Sequence, residues 1–115
     1  MTALRDPQQA MEALKLANET RSCIAEFRRE IASVPRHEGV LKVIEAIELH
    51  HADKLLGAAK VMSILVSIDR IGTEKAHKLM LVAQIFNYDK RLRELTGRQR
   101  KLLIDLLEHQ GWRAS

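Results

Sequence analysis

From Gln8 to Val34 the chain meets neither glycine nor proline. That run constrains the fold more than any other feature. Asp6-Pro7 in front of it reads as a helix start, with Asp6 as N-cap and Pro7 at the first helical position. Val34-Pro35 reads as its stop. The spacing predicts one helix to about Ser33, with an apolar seam of Ala10, Ala13, Ala17, Ile24, Phe27 and Ile31 that Thr20 interrupts. Alanine fills the first half of the seam and larger side chains fill the second. The C-terminal half is therefore expected to dock on a core, and the N-terminal half to project as an arm.

The remainder must supply that core. A chain of 115 residues makes one domain with a single modest core. Two prolines, few aromatics and abundant Ala, Leu, Ile, Glu, Lys and Arg favour an all-α fold. After a linker at residues 36–39, Val40, Leu41, Val43, Ile44 and Ile47 predict a second amphipathic helix. Asp53 opens a short turn that Gly57 closes. Residues 58–68 read as a helix burying Val61, Ile64, Leu65 and Ile68. A turn holding Gly72 follows, then a helix over 73–85 burying Ala76, Leu79, Met80 and either Val82 or Ala83. Gly97 precedes a last helix, 98–110, with a stripe of Leu102, Leu103, Leu106 and Leu107. Gly111 closes it, and Trp112 is expected to fold back on the stripe. The organisation is two helices over 1–50 and a compact core over 51–115, in one structural unit.

Several function classes find no support. No apolar run approaches the roughly 20 residues of a membrane span, and residues 1–7 lack the apolar core of a signal peptide. One cysteine, Cys23, makes no disulfide framework and fits a reducing cytoplasm. With no partner base evident, it reads as a small packed residue rather than a nucleophile. His50-His51 lacks metal-ligand spacing, and adjacent helix side chains diverge, so both are expected to interact with a helix C-terminus. Met62 and Met80 read as core filler. No cofactor motif, Ser/His/Asp set or metal set appears, so an enzyme is not expected.

The charge is unevenly placed. Residues 1–50 hold seven Lys/Arg against eight Asp/Glu, and residues 51–115 hold twelve against seven, which together recover the net +4. Lys90, Arg91, Arg93, Arg98, Arg100 and Lys101 crowd residues 90–101, opposed there only by Glu94. Such a cluster suits a nucleic-acid backbone, because each phosphate contacted releases counterions. The turn at Gly72 adds a helix start whose unpaired N–H groups favour anions. Arg21 and Arg28, seven apart on one helix face, are placed to follow a phosphate backbone or to pair with neighbouring Glu residues.

The series Lys60-Val61-Met62-Ser63-Ile64-Leu65, Ile71-Gly72-Thr73-Glu74-Lys75-Ala76, Met80, then Lys90-Arg91-Leu92-Arg93-Glu94-Leu95 and Arg98-Gln99 resembles the actinobacterial integration host factors. The likeness runs from about Ala13 to Leu107. It implies a long N-terminal helix packed on a helix–two-turns–helix core, like that of a ribosomal protein of the small-subunit head. It also implies a nucleoid-associated, cytoplasmic protein, monomeric when free. Such a protein binds double-stranded DNA with little sequence preference, bends or organises it, and assists phage site-specific recombination beside an integrase complex. The family's arginine cluster maps onto Lys90, Arg91 and Arg93, and its hairpin-tip contacts map near Ile71, Gly72, Thr73 and Lys75. Lys78, Arg70 and Arg98 join these as expected DNA contacts.

The chain departs from the family pattern where its turn reads Asp69-Arg70-Ile71-Gly72 rather than Pro-Gly-Val-Gly. Arg70 puts a side chain where a glycine would let the backbone approach a phosphate, and Asp69 and Glu74 oppose an anion there. No set of Asn, Gln and Arg on one recognition helix reads base edges, which argues against a sharp operator code. The competing reading is a protein-interaction module, or a phage regulatory factor, acting through the long first helix.

Overall fold

The computed structural model describes residues 7–109 as an all-α protein, with no strand among the described residues. Five α-helices follow one another: α1 Pro7–Ala32, α2 Arg36–Leu49, α3 Val61–Ser67, α4 Thr73–Val82 and α5 Gly97–His109. Two 3₁₀ turns, Leu56–Ala58 and Leu92–Glu94, sit between them. The Asp6 cap and the docking of Trp112 on the last helix lie outside the described residues. None of the helices is long and apolar enough to cross a membrane.

The core is continuous. Ile31 of α1, Val43 and Ile47 of α2, Ile64 and Leu65 of α3, Met80 of α4 and Leu103 and Leu107 of α5 are all almost fully buried in it. α1 packs on α2 and α3, α2 on α5, α3 on α4 and α4 on α5, while the two 3₁₀ turns pack on each other. In α1 only Ile31 is buried, with Ile24 and Phe27 packed against the core. Ala10 and Ala13 are exposed, so the first turns of α1 project. This arm explains a radius of gyration of 16.0 Å and extents of 57 × 28 × 24 Å, against about 13 Å for a compact chain of this length.

Several boundaries differ from the sequence reading. α2 starts directly after Pro35, so residues 36–39 are its first turn and not a linker. Gly39 is buried there, and a Cβ on it would lie 3.2 Å from Ile31 Cγ2 and 3.3 Å from the Ile31 carbonyl oxygen. Its value is closeness to α1. Leu41, expected in the apolar face, is exposed, and Ala46 takes a buried place instead. Ala58 belongs to a 3₁₀ turn and Ala59 and Lys60 are non-helical, so α3 is shorter than expected. Gly57 sits inside that turn, where a Cβ would meet the His51 carbonyl oxygen at 2.6 Å.

α4 ends at Val82 rather than Ile85 because Gln84 turns left-handed, φ 65°. The Gln84 N–H donates to the Leu81 carbonyl at 3.0 Å and the Ile85 N–H to the Met80 carbonyl at 2.8 Å. These are the two bonds of a Schellman ending. Ala83 is buried and Val82 exposed, which resolves that alternative. Gly97 is the first residue of α5 rather than a break before it. Its start is held by Thr96, whose Oγ1 accepts from the Gln99 N–H at 3.1 Å, while Gln99 Oε1 accepts from the Thr96 N–H at 3.0 Å. That reciprocal pair is a capping box.

The histidine pair diverges as expected. His51 Nδ1 lies 2.9 Å from the Ile47 carbonyl oxygen, and His50 Nδ1 lies 3.1 Å from Asp53 Oδ2. A carbonyl can only accept, so His51 carries its proton on Nδ1 and closes the end of α2.

Candidate nucleic-acid interface

The basic segment is tied to the entry of α3 by backbone bonds. Lys60 and Arg91 form an isolated antiparallel bridge. On its two sides the Val61 N–H donates to the Lys90 carbonyl and the Leu92 N–H to the Ala59 carbonyl, each at 3.0 Å. Arg91 adds a hydrogen bond from Nη1 to the Ala58 carbonyl. The segment continues through the Leu92–Glu94 turn into the Thr96–Gln99 capping box. Leu92 and Leu95 anchor it from below, both buried. Its shape is set before any ligand arrives.

The cations then sort by what holds them. The side chains of Lys90, Arg93, Arg98 and Lys101 have no hydrogen bond or ion pair among the described residues; Arg93, Arg98 and Lys101 are exposed and Lys90 is half-buried. Arg91 and Arg100 are half-buried and used internally, Arg91 on Ala58 and Arg100 Nη1 on the Leu95 carbonyl at 2.9 Å. The nearby carboxylates are engaged too. Asp89 Oδ1 lies 3.3 Å from Lys60 Nζ, and Glu94 Oε1 accepts from the Arg91 backbone N–H at 2.8 Å. The four cationic side chains are thus ion-paired with neither nearby carboxylate among the described residues.

The α3–α4 turn is built differently. The Ile71 N–H donates to the Ile68 carbonyl at 3.0 Å, closing a four-residue turn with Arg70 in third place at φ 64°. That place favours glycine or asparagine. Gly72 itself is extended, φ −82° and ψ 177°, and a Cβ on it would meet nothing within 4 Å. The conformational demand of the turn therefore falls on Arg70, not on the glycine. Ile71 is a core residue, 3% exposed, and offers only backbone to a ligand. Arg70, Thr73, Lys75 and Lys78 are exposed, and the three cations among them have no partner among the described residues. Asp69 and Glu74 are exposed beside them and make no ion pair among the described residues.

Arg21 and Arg28 are held by neither DNA-like nor carboxylate partners. Arg21 Nη1 donates to Asn18 Oδ1 at 2.8 Å. Arg28 Nε donates to Ser67 Oγ at 2.9 Å, and that hydroxyl donates on to the Ser63 carbonyl at 2.8 Å. Arg28 thereby ties α1 to the end of α3, so pairing with Glu neighbours is corrected for both.

Sequence reasoning missed the hydrogen bond from Gln99 Nε2 to the Gln84 carbonyl, 2.9 Å, which joins the start of α5 to the end of α4. The Thr-x-x-Gln spacing at 96–99 was a readable signal for the cap, but no sequence signal marks the contact with Gln84. Cys23 is half-buried, and burial, with Glu26 and Asp53 adding to it, raises its thiol pKa above the ordinary value. That direction disfavours the nucleophilic thiolate. Asp105, Glu108 and His109 bring ligand-type atoms within 4.8 Å of one another, all exposed. The i, i+3, i+4 spacing of one helix face produces such a group without a metal.

Compared with protein-family models, with curated proteins and with solved structures, the chain matches none of them.

Proposed function

We propose that the protein binds double-stranded DNA through its phosphates, with little sequence preference, and bends or organises the duplex. One observation carries this reading: the side chains of Lys90, Arg93, Arg98 and Lys101 are unpaired on a backbone held in place, while Asp89 pairs with Lys60 and Glu94 bonds the Arg91 N–H. With the backbone already ordered, only side-chain freedom is lost when these cations meet phosphate, and the contact releases counterions. Arg70, Lys75 and Lys78 at the α3–α4 turn supply a second, weaker contact. Two separated contacts favour a bent duplex, since bending brings both into reach.

The finer reading follows the resemblance to the actinobacterial integration host factors. In it α3, its turn and α4 form the helix–two-turns–helix unit, and the protein works in the nucleoid, monomeric when free, beside a phage integrase complex. The left-handed φ of Arg70, at the place where that family's turn has a glycine, supports it. Fluorescence anisotropy of a duplex of about 20 base pairs, titrated at several salt concentrations, tests the proposal. The Lys90→Ala/Arg93→Ala/Arg98→Ala variant is expected to bind more weakly, with a salt slope shallower by roughly two to three. No binding at low salt, or an unchanged slope in the folded variant, overturns it.

A second reading rests on the arm. Met11, Leu14 and Leu16 are exposed on the projecting half of α1, an apolar surface suited to a partner helix. Sedimentation of the wild type against Met11→Lys/Leu14→Lys distinguishes self-association through the arm from a monomer.

A further inference from the structure

Past the left-handed turn at Gln84 the chain sends Ile85 into the core, 0% exposed, and Phe86 outward, 72% exposed. Leu81 and Val82, on the last turn of α4, are 55% and 60% exposed. Residues 81–88 carry no charged side chain. The exposure of Phe86 is imposed by its surroundings. Behind it stand the two bonds that end α4 and the Gln99–Gln84 bond. Ahead of it Asn87 Oδ1 accepts from the Asp89 N–H at 2.9 Å, the Lys90 N–H donates to the Asn87 carbonyl at 3.0 Å, and the Tyr88 ring stacks on His77 with centroids 4.3 Å apart. Phe86 cannot fold back onto the core without breaking these contacts.

Cations unpaired among the described residues lie on the chain segments joined to its loop. Lys90 lies four residues on, and Arg98 adjoins Gln99, whose side chain is bonded to the same loop. The one acidic residue between Phe86 and Lys90, Asp89, is paired with Lys60. An uncharged aromatic tip, on a loop bonded to the segment that carries unpaired cations, matches the stacked bases of a duplex whose phosphates those cations hold. A second copy of the chain fits worse, because a two-fold contact through Phe86 sets Lys90 and Arg98 against their own copies.

We infer that Phe86 is a wedge that enters between two base pairs of duplex DNA, unstacks one base step and kinks the helix there. The inference rests on the DNA-binding reading above. Apolar side chains used this way open a step and bend the duplex, most readily at flexible pyrimidine–purine steps. The wedge therefore gives a mild preference for such steps without reading base edges.

The test uses a duplex with a single TA step in which one base is 2-aminopurine, whose fluorescence rises when it is unstacked, and dyes at both ends to report bending. The wild type is expected to raise the 2-aminopurine signal and shorten the end-to-end distance. Phe86→Leu keeps both effects. Phe86→Ala, a change at an exposed position, binds roughly tenfold more weakly, loses both signals and keeps the wild-type salt slope. Salt-dependent binding with no 2-aminopurine response in the wild type, or wild-type affinity and bending in Phe86→Ala, overturns the wedge alone. Absence of binding at low salt overturns the wedge and the DNA-binding reading together. Unchanged DNA parameters with loss of self-association in Phe86→Ala assign the tip to a second copy.

Discussion

The α3–α4 turn and the 90–101 segment hold similar numbers of free cations, but their surroundings differ. At the turn, Arg70, Lys75 and Lys78 share the surface with Asp69 and Glu74, which are exposed and unengaged. At the 90–101 segment the nearby carboxylates are bonded elsewhere, Asp89 to Lys60 and Glu94 to the Arg91 N–H. The turn also rests on one closing hydrogen bond around a residue at φ 64°, whereas the segment is held by a bridge, a buried leucine pair and a capping box. Counting cations would rank the two regions together. Counting cations that lack local counter-charge on a fixed backbone separates them, because an anion gains most where no carboxylate screens it and least ordering remains to be done.

The largest expected effect probes that ranking directly. Lys90→Ala/Arg93→Ala/Arg98→Ala should weaken duplex binding roughly hundredfold near 0.1 M salt, by the loss of three phosphate contacts. Anisotropy titration reads this, and a loss under threefold breaks the comparison. Gly57→Ala comes next. Its Cβ would press on the His51 carbonyl oxygen at 2.6 Å and on Arg93 Cβ at 3.3 Å, so unfolding by urea should show a loss of about 2–3 kcal/mol. A variant as stable as the wild type would mean that the turn moves freely, and that the neighbouring segment is less fixed than its bonds suggest.

Smaller effects sharpen the contrast. Arg70→Ala/Lys75→Ala/Lys78→Ala should cost about tenfold in affinity, since Asp69 and Glu74 already offset part of that charge. A hundredfold loss would place the turn level with the segment. Thr96→Ala removes the acceptor for the Gln99 N–H and should lower stability by about 1 kcal/mol. Arg70→Gly and Gln84→Gly should each raise the midpoint of thermal unfolding slightly, by up to about 1 kcal/mol of stability. Relief of the left-handed strain exceeds the added entropy of the unfolded chain. Arg70→Gly destabilising the protein would show that the arginine side chain holds the turn.

Much of the fold was legible before any coordinates. The unbroken run after Pro7 announced α1, and its shift from alanine to Ile24, Phe27 and Ile31 announced which half docks. Apolar spacing identified most of the buried residues of α2 to α5. The misses share a cause. Leu41 is apolar but faces out, while Gly39 and Gly57, which read as linker and turn closer, mark close packing. One-dimensional spacing says which residues prefer burial, not which face the neighbouring element covers. The helix ends at Ser67 and Val82 were overrun because residues 68, 83 and 85 continue to be buried after the helix stops.

The cation-rich segment was equally visible as composition, yet its division of labour was not. Sequence alone determined that this chain forms helices, that the first is long and half-docked, and that positive charge gathers in residues 90–101, since these follow from local propensity, periodicity and counting. Only the tertiary structure decided which of those charges are available. Arg91 and Arg100 go to the backbone carbonyls of Ala58 and Leu95, and Arg28 to Ser67. It also decided that Asp89 pairs with Lys60, that Glu94 bonds the Arg91 N–H, and that Phe86 is turned out of the core. Each depends on a backbone group or side chain brought close by packing, and hydrogen bonds act over about 3 Å in space, whatever the separation along the chain.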